Sequence, residues 1–166
     1  MAAADDQWAR GYALQALSGL GAREALVNAN AEKCHRLHFL QMAVEKVCKA
    51  HLTVASGHNH VRKTHAYMMG TFPVIARQFY GKLNDGNKIR GWELSEIRRL
   101  AREIQLLAPA CNEGDFREDN SEYPWADASG NVCIPCEYSF PNLDDGNRAI
   151  IRLIHLIRIA AESYGQ

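Results

Sequence analysis

Apolar side chains recur every three or four residues along most of this chain, and that spacing commits it to helices packed around a shared core. Leu37, Leu40, Val44 and Val47 follow each other at intervals of 3, 4 and 3, and Met68, Phe72, Ile75 and Phe79 at 4, 3 and 4. Ile97, Leu100, Ala101, Ile104, Leu107 and Ala108 form the clearest run, closed by Pro109. Asp5 or Asp6 can cap a first helix whose broad face holds Trp8, Tyr12, Ala16 and Leu20, with Gly19 and Gly21 ending it. The second then runs from about Ala22 to Val54. Its opposite stripe carries His38, Gln41, Glu45 and Lys49, and Glu45 stands four residues before Lys49, the favourable order for an intrahelical pair.

A third helix covers about Thr64 to Tyr80. Pro73 inside it predicts a kink, or two short helices joined near Thr71, because proline removes a donor and crowds the preceding turn. Asn84-Asp85-Gly86 marks a turn, and a fourth helix follows from about Trp92 to Ala108, with Arg98, Arg99, Arg102 and Glu103 facing outward. From Pro109 to Asp144 the periodicity stops. Those 36 residues hold four of the five prolines, and their aromatic residues Phe116, Tyr123, Trp125, Tyr138 and Phe140 predict an ordered excursion that packs back on the helices. A last helix, capped by Asp144 or Asp145, extends to about Tyr164 and buries Ile150, Leu153, Ile154, Ile157 and Ala161.

At 166 residues, 47% of them apolar and 23% charged, the composition is that of one globular domain. The stretch Ala149 to Ala161 is interrupted by Arg152, His155 and Arg158, which excludes a membrane span there. Met1 to Asp6 lacks the basic and apolar regions of a secretory signal, so the cytoplasm is the expected compartment and the five cysteines are expected to be reduced.

The net charge of zero conceals two opposed regions. Lys33, Arg36, Lys46, Lys49, Arg62 and Lys63 stand against Glu45 alone, and six of the seven histidines lie in or just beyond this stretch. Between Glu113 and Asp127, six acids stand against Arg117. Such regions serve as solvated faces, as a phosphate-binding face, or as each other's counterpart within or across subunits.

Cys133-Ile134-Pro135-Cys136 supplies two of the four ligands a structural zinc site needs, and no second pair has the usual short spacing. The acidic residues around it suit neither thiol activation nor a thioredoxin-like motif. His58, His60 and His65 read as polar surface, so no metal site and no cofactor is expected. No G-x-G-x-x-G, P-loop or G-x-S-x-G string occurs.

The string from His38 through Gln41, Ala43, Glu45, Lys46 and Lys49 to Leu52 resembles the core helix of the HEPN domain family. Arg62-Lys63-Thr64-His65 is similar to the step that opens that family's next helix, and Glu122-Tyr123-Pro124 to a step before its final one. Glu122 stands where the family often has arginine, and Trp125 where it has aspartate. The likeness spans about residues 22–164 of what is then a single HEPN-like domain over residues 1–166, with an irregular insertion at about 109–144.

The resemblance implies an all-α, up-and-down bundle of four to five helices with a long irregular excursion before the last. It implies a homodimer, binding of nucleotide or RNA phosphates, and a place in a toxin–antitoxin or defence-type module with a nucleotidyltransferase-type protein partner. Lys46, Lys49, Arg62, Lys63 and His65 are the expected phosphate-binding residues, with Arg148, Arg152 and His155 as a second cluster. Ribonuclease branches of the family carry an arginine, four to six residues and a histidine, matched here by Arg148 and His155. An arginine can hold a scissile phosphate while a histidine moves the 2′-hydroxyl proton, which makes a metal-independent ribonuclease one alternative. A non-catalytic dimerisation or interaction domain, using the Pro109 to Asp144 excursion, is another.

Overall fold

The computed structural model describes residues 2–61, 68–108 and 120–166. Among these, five α-helices build the fold: α1 (Ala2–Asn28), α2 (Lys33–Ser56), α3 (Met68–Leu83), α4 (Gly91–Gln105) and α5 (Arg148–Tyr164). A two-residue antiparallel ladder, β1 (Trp125–Ala126) with β2 (Val132–Cys133), lies in the irregular stretch before α5. The chain is an all-α bundle, and none of its described helices is long and apolar enough to cross a membrane.

The first helix does not stop at Gly19 or Gly21; it continues to Asn28. Asn30 takes a left-handed backbone at φ 51°, its N–H donates to the Val27 carbonyl at 3.0 Å, and the Ala31 N–H donates to that of Leu26 at 2.9 Å. Those two bonds satisfy the last carbonyls of α1, with asparagine in the place glycine usually takes. The buried stripe also differs from the expected one. Ala9, Ala13, Ala16 and Leu20 are buried, while Trp8 lies largely outside the core. These small side chains let α1 approach closely, and a Cβ added at Gly19 would lie 3.6 Å from that of Ala43 on α2. Nor do Asp5 and Asp6 cap the helix, which begins ahead of them. Asp5 accepts the His58 backbone N–H at 3.0 Å instead, tying α1 to the 3₁₀ turn after α2.

On α2, Leu37, Leu40, Val44 and Val47 are buried as the periodicity predicts, and so is much of the opposite stripe, including Gln41, Glu45 and Lys49. This helix touches all four of the others. It is the central rod of the bundle, and its polar face is covered. Helix α3 continues unbroken through Pro73, without the expected interruption near Thr71. Pro73 is itself buried between the fully buried Phe72 and Ile75, so core packing holds the helix across the missing hydrogen bond. Residues 64–67 of the expected third helix lie outside the described ones.

The cap of α5 is Asn147, whose Oδ1 accepts the Ala149 N–H at 2.8 Å. Asp145 has a different task, pairing with Arg23 on α1 and Arg36 on α2. Leu156 and Ala160 are buried on α5 beside the expected residues, while Ile154 is only half-buried. In the irregular stretch, Phe140 and Leu143 enter the core, and the Lys33 Nζ donates to the carbonyls of Ser139 at 2.8 Å and Phe140 at 3.1 Å. Trp125, Tyr138 and Phe140 follow edge to face, with ring centroids 5.1 and 4.9 Å apart. Residues 109–119 of the expected excursion lie outside the described ones.

The continuity of α1 has a direct test. Gly21 is exposed and a Cβ there meets nothing within 4 Å. Gly21→Ala should therefore raise stability by about 0.5–1 kcal/mol through helix propensity alone, read as a higher midpoint in thermal unfolding. A helix that ended at Gly21 would lose stability on the same substitution.

Candidate functional site

Two charged assemblies stand out. The first is the covered face of α2. Glu45 is 3% exposed and accepts from Lys49 at 3.0 Å and from Lys46 at 3.1 Å, with the Gln41 amide at 3.3 Å. Burial alone would push the Glu45 carboxyl up. The Lys49 hydrogen bond and the charges of Lys46 and Lys49 outweigh it and hold the carboxyl below its ordinary range. Lys49 is 5% exposed, and its ammonium also lies 5.9 Å from the centre of the Tyr12 ring. Its charge is thus turned inward. Lys46 is more open, with Glu45 as its partner, and it borders a groove of about 150 Å³ between α1 and α2 that also touches Gly19, His38 and Met42.

The second assembly is a cleft of about 220 Å³ where α3, α5 and the turn after α3 meet, lined by Tyr80, Leu83, Asn84, Arg148, Ile151, Arg152 and His155. Arg148, Arg152 and His155 thus come together, as their spacing of four and three on one helix requires. The basic side of the cleft is organised by a buried acid. Glu93, at the start of α4, accepts the Tyr80 hydroxyl with Oε1 and the Arg90 backbone N–H with Oε2 at 3.0 Å. Its Oε1 also stands 3.3 Å from Arg152 Nη1. Burial pushes the Glu93 carboxyl up; the Tyr80 bond, the Arg90 N–H and the Arg152 charge more than reverse this, so it stays ionised beside the guanidinium. The same guanidinium lies 6.0 Å from the centre of the Trp92 ring. Arg148 and His155 are exposed, and neither has an ion pair among the described residues.

The remaining expected site residues, Arg62, Lys63 and His65, lie outside the described residues. His58 is buried with its ring stacked 3.9 Å from that of Trp8, and His60 is exposed. Cys133 and Cys136 carry free thiols, and among the described residues no three His, Cys, Asp or Glu side chains converge on a metal-sized point. The opposed charge regions meet at one described place, where the His38 Nδ1 comes within 3.3 Å of the Glu122 carboxylate. Tyr80, Trp92 and Glu93 were not singled out by the sequence. Only the adjacent Trp92 and Glu93 at the start of α4 hint at two of the three.

The α2 assembly gives a pH-dependent stability. Because the Glu45 carboxyl is held below its ordinary 4.5, its contribution is present above that pH and lost as pH falls through the lowered value. Glu45→Gln should cost about 3 kcal/mol in urea unfolding at pH 7, since Lys49 is left buried without its counter-charge. The gap from the natural chain should narrow at pH 3. An equal gap at both pH values would contradict an ionised Glu45.

Comparison with protein-family models, curated proteins and solved structures finds no match.

Proposed function

We propose that the chain is a HEPN-like helical domain that binds the phosphates of a nucleotide or RNA, and that the binding face is the cleft of Arg148, Arg152 and His155 rather than the lysines of α2. One observation carries this reading: two guanidinium groups and an imidazole on successive turns of α5 line one open cleft. Phosphates need donors that stay accessible, and arginine offers a fork that matches their oxygens. Arg148 meets that need as the first residue of α5, where the unpaired backbone N–H groups of the helix add positive potential. Lys49 does not, since its ammonium is spent on Glu45 and the Tyr12 ring. A ribonuclease reading of Arg148 and His155 adds one requirement, that bound RNA be cut in the presence of a chelator.

The binding reading is tested by fluorescence anisotropy with a labelled RNA oligonucleotide across a range of salt. Arg148→Ala should weaken binding about fivefold to tenfold and flatten the slope of log affinity against log salt by about 0.7, the loss of one single-strand phosphate contact. Lys46→Ala should leave affinity within about twofold. The opposite ranking of the two variants would return the phosphate face to α2.

A further inference from the structure

Trp92 is 60% exposed, among the most exposed large apolar residues of the chain. Water is a poor solvent for an indole, and burying one on a ligand is favourable. Its surroundings say what kind of ligand. One turn along α4 stand Ser95 and Glu96, and the segment before the helix brings Lys88 and Arg90, so most of the ring's neighbours along the chain are polar; exposed Ile151 lines the adjoining cleft. A protein-docking patch would instead be a contiguous apolar area. The Arg152 guanidinium lies over the ring, 6.0 Å from its centre, and the same side chain lines the cleft. Glu93, held by Tyr80 and by the Arg90 N–H, fixes where that guanidinium stands. A flat aromatic surface is therefore set beside Arg152, one of the basic groups that line the cleft.

The other exposed aromatic residues do not share this setting. Trp8 already stacks on His58, and Tyr123 follows the acidic Glu122. Trp92 alone joins exposure to neighbouring cations among the described tryptophans, since Trp125 packs edge-on against Tyr138.

We infer that Trp92 is a stacking platform for an unpaired nucleobase whose phosphate lies in the cleft of Arg148, Arg152 and His155. This rests on the phosphate-binding reading above and narrows its ligand class. Inorganic phosphates offer no base to stack, and the bases of a duplex are already stacked on one another and closed off from the ring. A nucleotide or a single strand presents the base free, and aromatic stacking of this kind tolerates any base because each has a π-face.

The experiment compares inorganic tripolyphosphate, AMP, a single-stranded oligoadenylate and an RNA duplex. Trp8→Phe combined with Trp125→Phe leaves Trp92 as the sole tryptophan, so its fluorescence reports stacking; Trp92→Ala and Trp92→Phe in the otherwise natural chain report affinity without depending on that variant. The expected result is quenching by the single strand and not by tripolyphosphate. Trp92→Ala should lose about tenfold in affinity for the single strand, keep its affinity for tripolyphosphate, and be largely rescued in Trp92→Phe. Quenching by AMP as well identifies a free nucleotide as a sufficient ligand; quenching by the strand alone identifies RNA. If tripolyphosphate binds through Arg148 and the single strand binds without quenching and without loss in Trp92→Ala, the stacking platform is overturned while phosphate binding stands. Binding of the duplex as tightly as the single strand also overturns it. If none of the four ligands binds, the phosphate-binding reading falls, and this inference with it.

Discussion

Glu45 keeps its charge in the middle of the bundle because Lys49 stands one helical turn further along α2 and Lys46 beside it. A carboxylate this deeply covered is costly to bury alone, and a lysine in the same place equally so. Together on one helix, at the spacing that brings their side chains into contact, they allow α2 to be covered on both sides. The other helices pack around that rod. α1 lies close over α2 through Ala9, Ala13, Ala16 and Gly19, while α3, α4 and α5 bring Phe72, Ile97, Leu100 and Leu153 to the common core. Asp145 pairs with Arg23 and Arg36, which ties the chain just before α5 to α1 and α2.

The same arrangement redistributes the positive charge. A run of basic residues along the chain suggests a basic surface, yet the pairing in three dimensions turns Lys49 inward and gives Lys33 to two backbone carbonyls. Arg36 is taken by Asp145. On α5, by contrast, arginine and histidine recur on one face that opens onto the cleft beside Tyr80 and Asn84. Arg152 is held there by Glu93 without being covered, and Arg148 projects from the helix start. What matters for a phosphate is the cation left accessible after internal pairing, and that cannot be counted from a string.

Much of the fold was nevertheless legible. The apolar rhythm located α4, α5 and the end of α3 to within a few residues and named Met68, Phe72, Ile75, Ile97, Leu100 and Ile150 as core. The boundary between α1 and α2 is not set by Gly19 and Gly21: tertiary packing overrides their weak helix propensity, and Asn30 supplies the cap. The cap of α5 is ambiguous in the sequence because three residues able to cap, Asp144, Asp145 and Asn147, lie together, and the pairing of Asp145 with Arg23 and Arg36 appears only in the fold. Of the candidate site, the clustering of Arg148, Arg152 and His155 followed from helical spacing. Their alignment with Tyr80, Trp92 and Glu93 did not, since those residues come from two other helices.

Whether a phosphate is met by the α5 cleft or by the covered face of α2 is open to measurement. Backbone amide and indole resonances followed by NMR during titration with a short single-stranded RNA address it most directly. The largest shifts are expected on Asn84, the Trp92 indole and residues 148–155, with Gln41, Glu45 and Lys49 unmoved. Shifts concentrated on residues 41–49, with α5 silent, would contradict it.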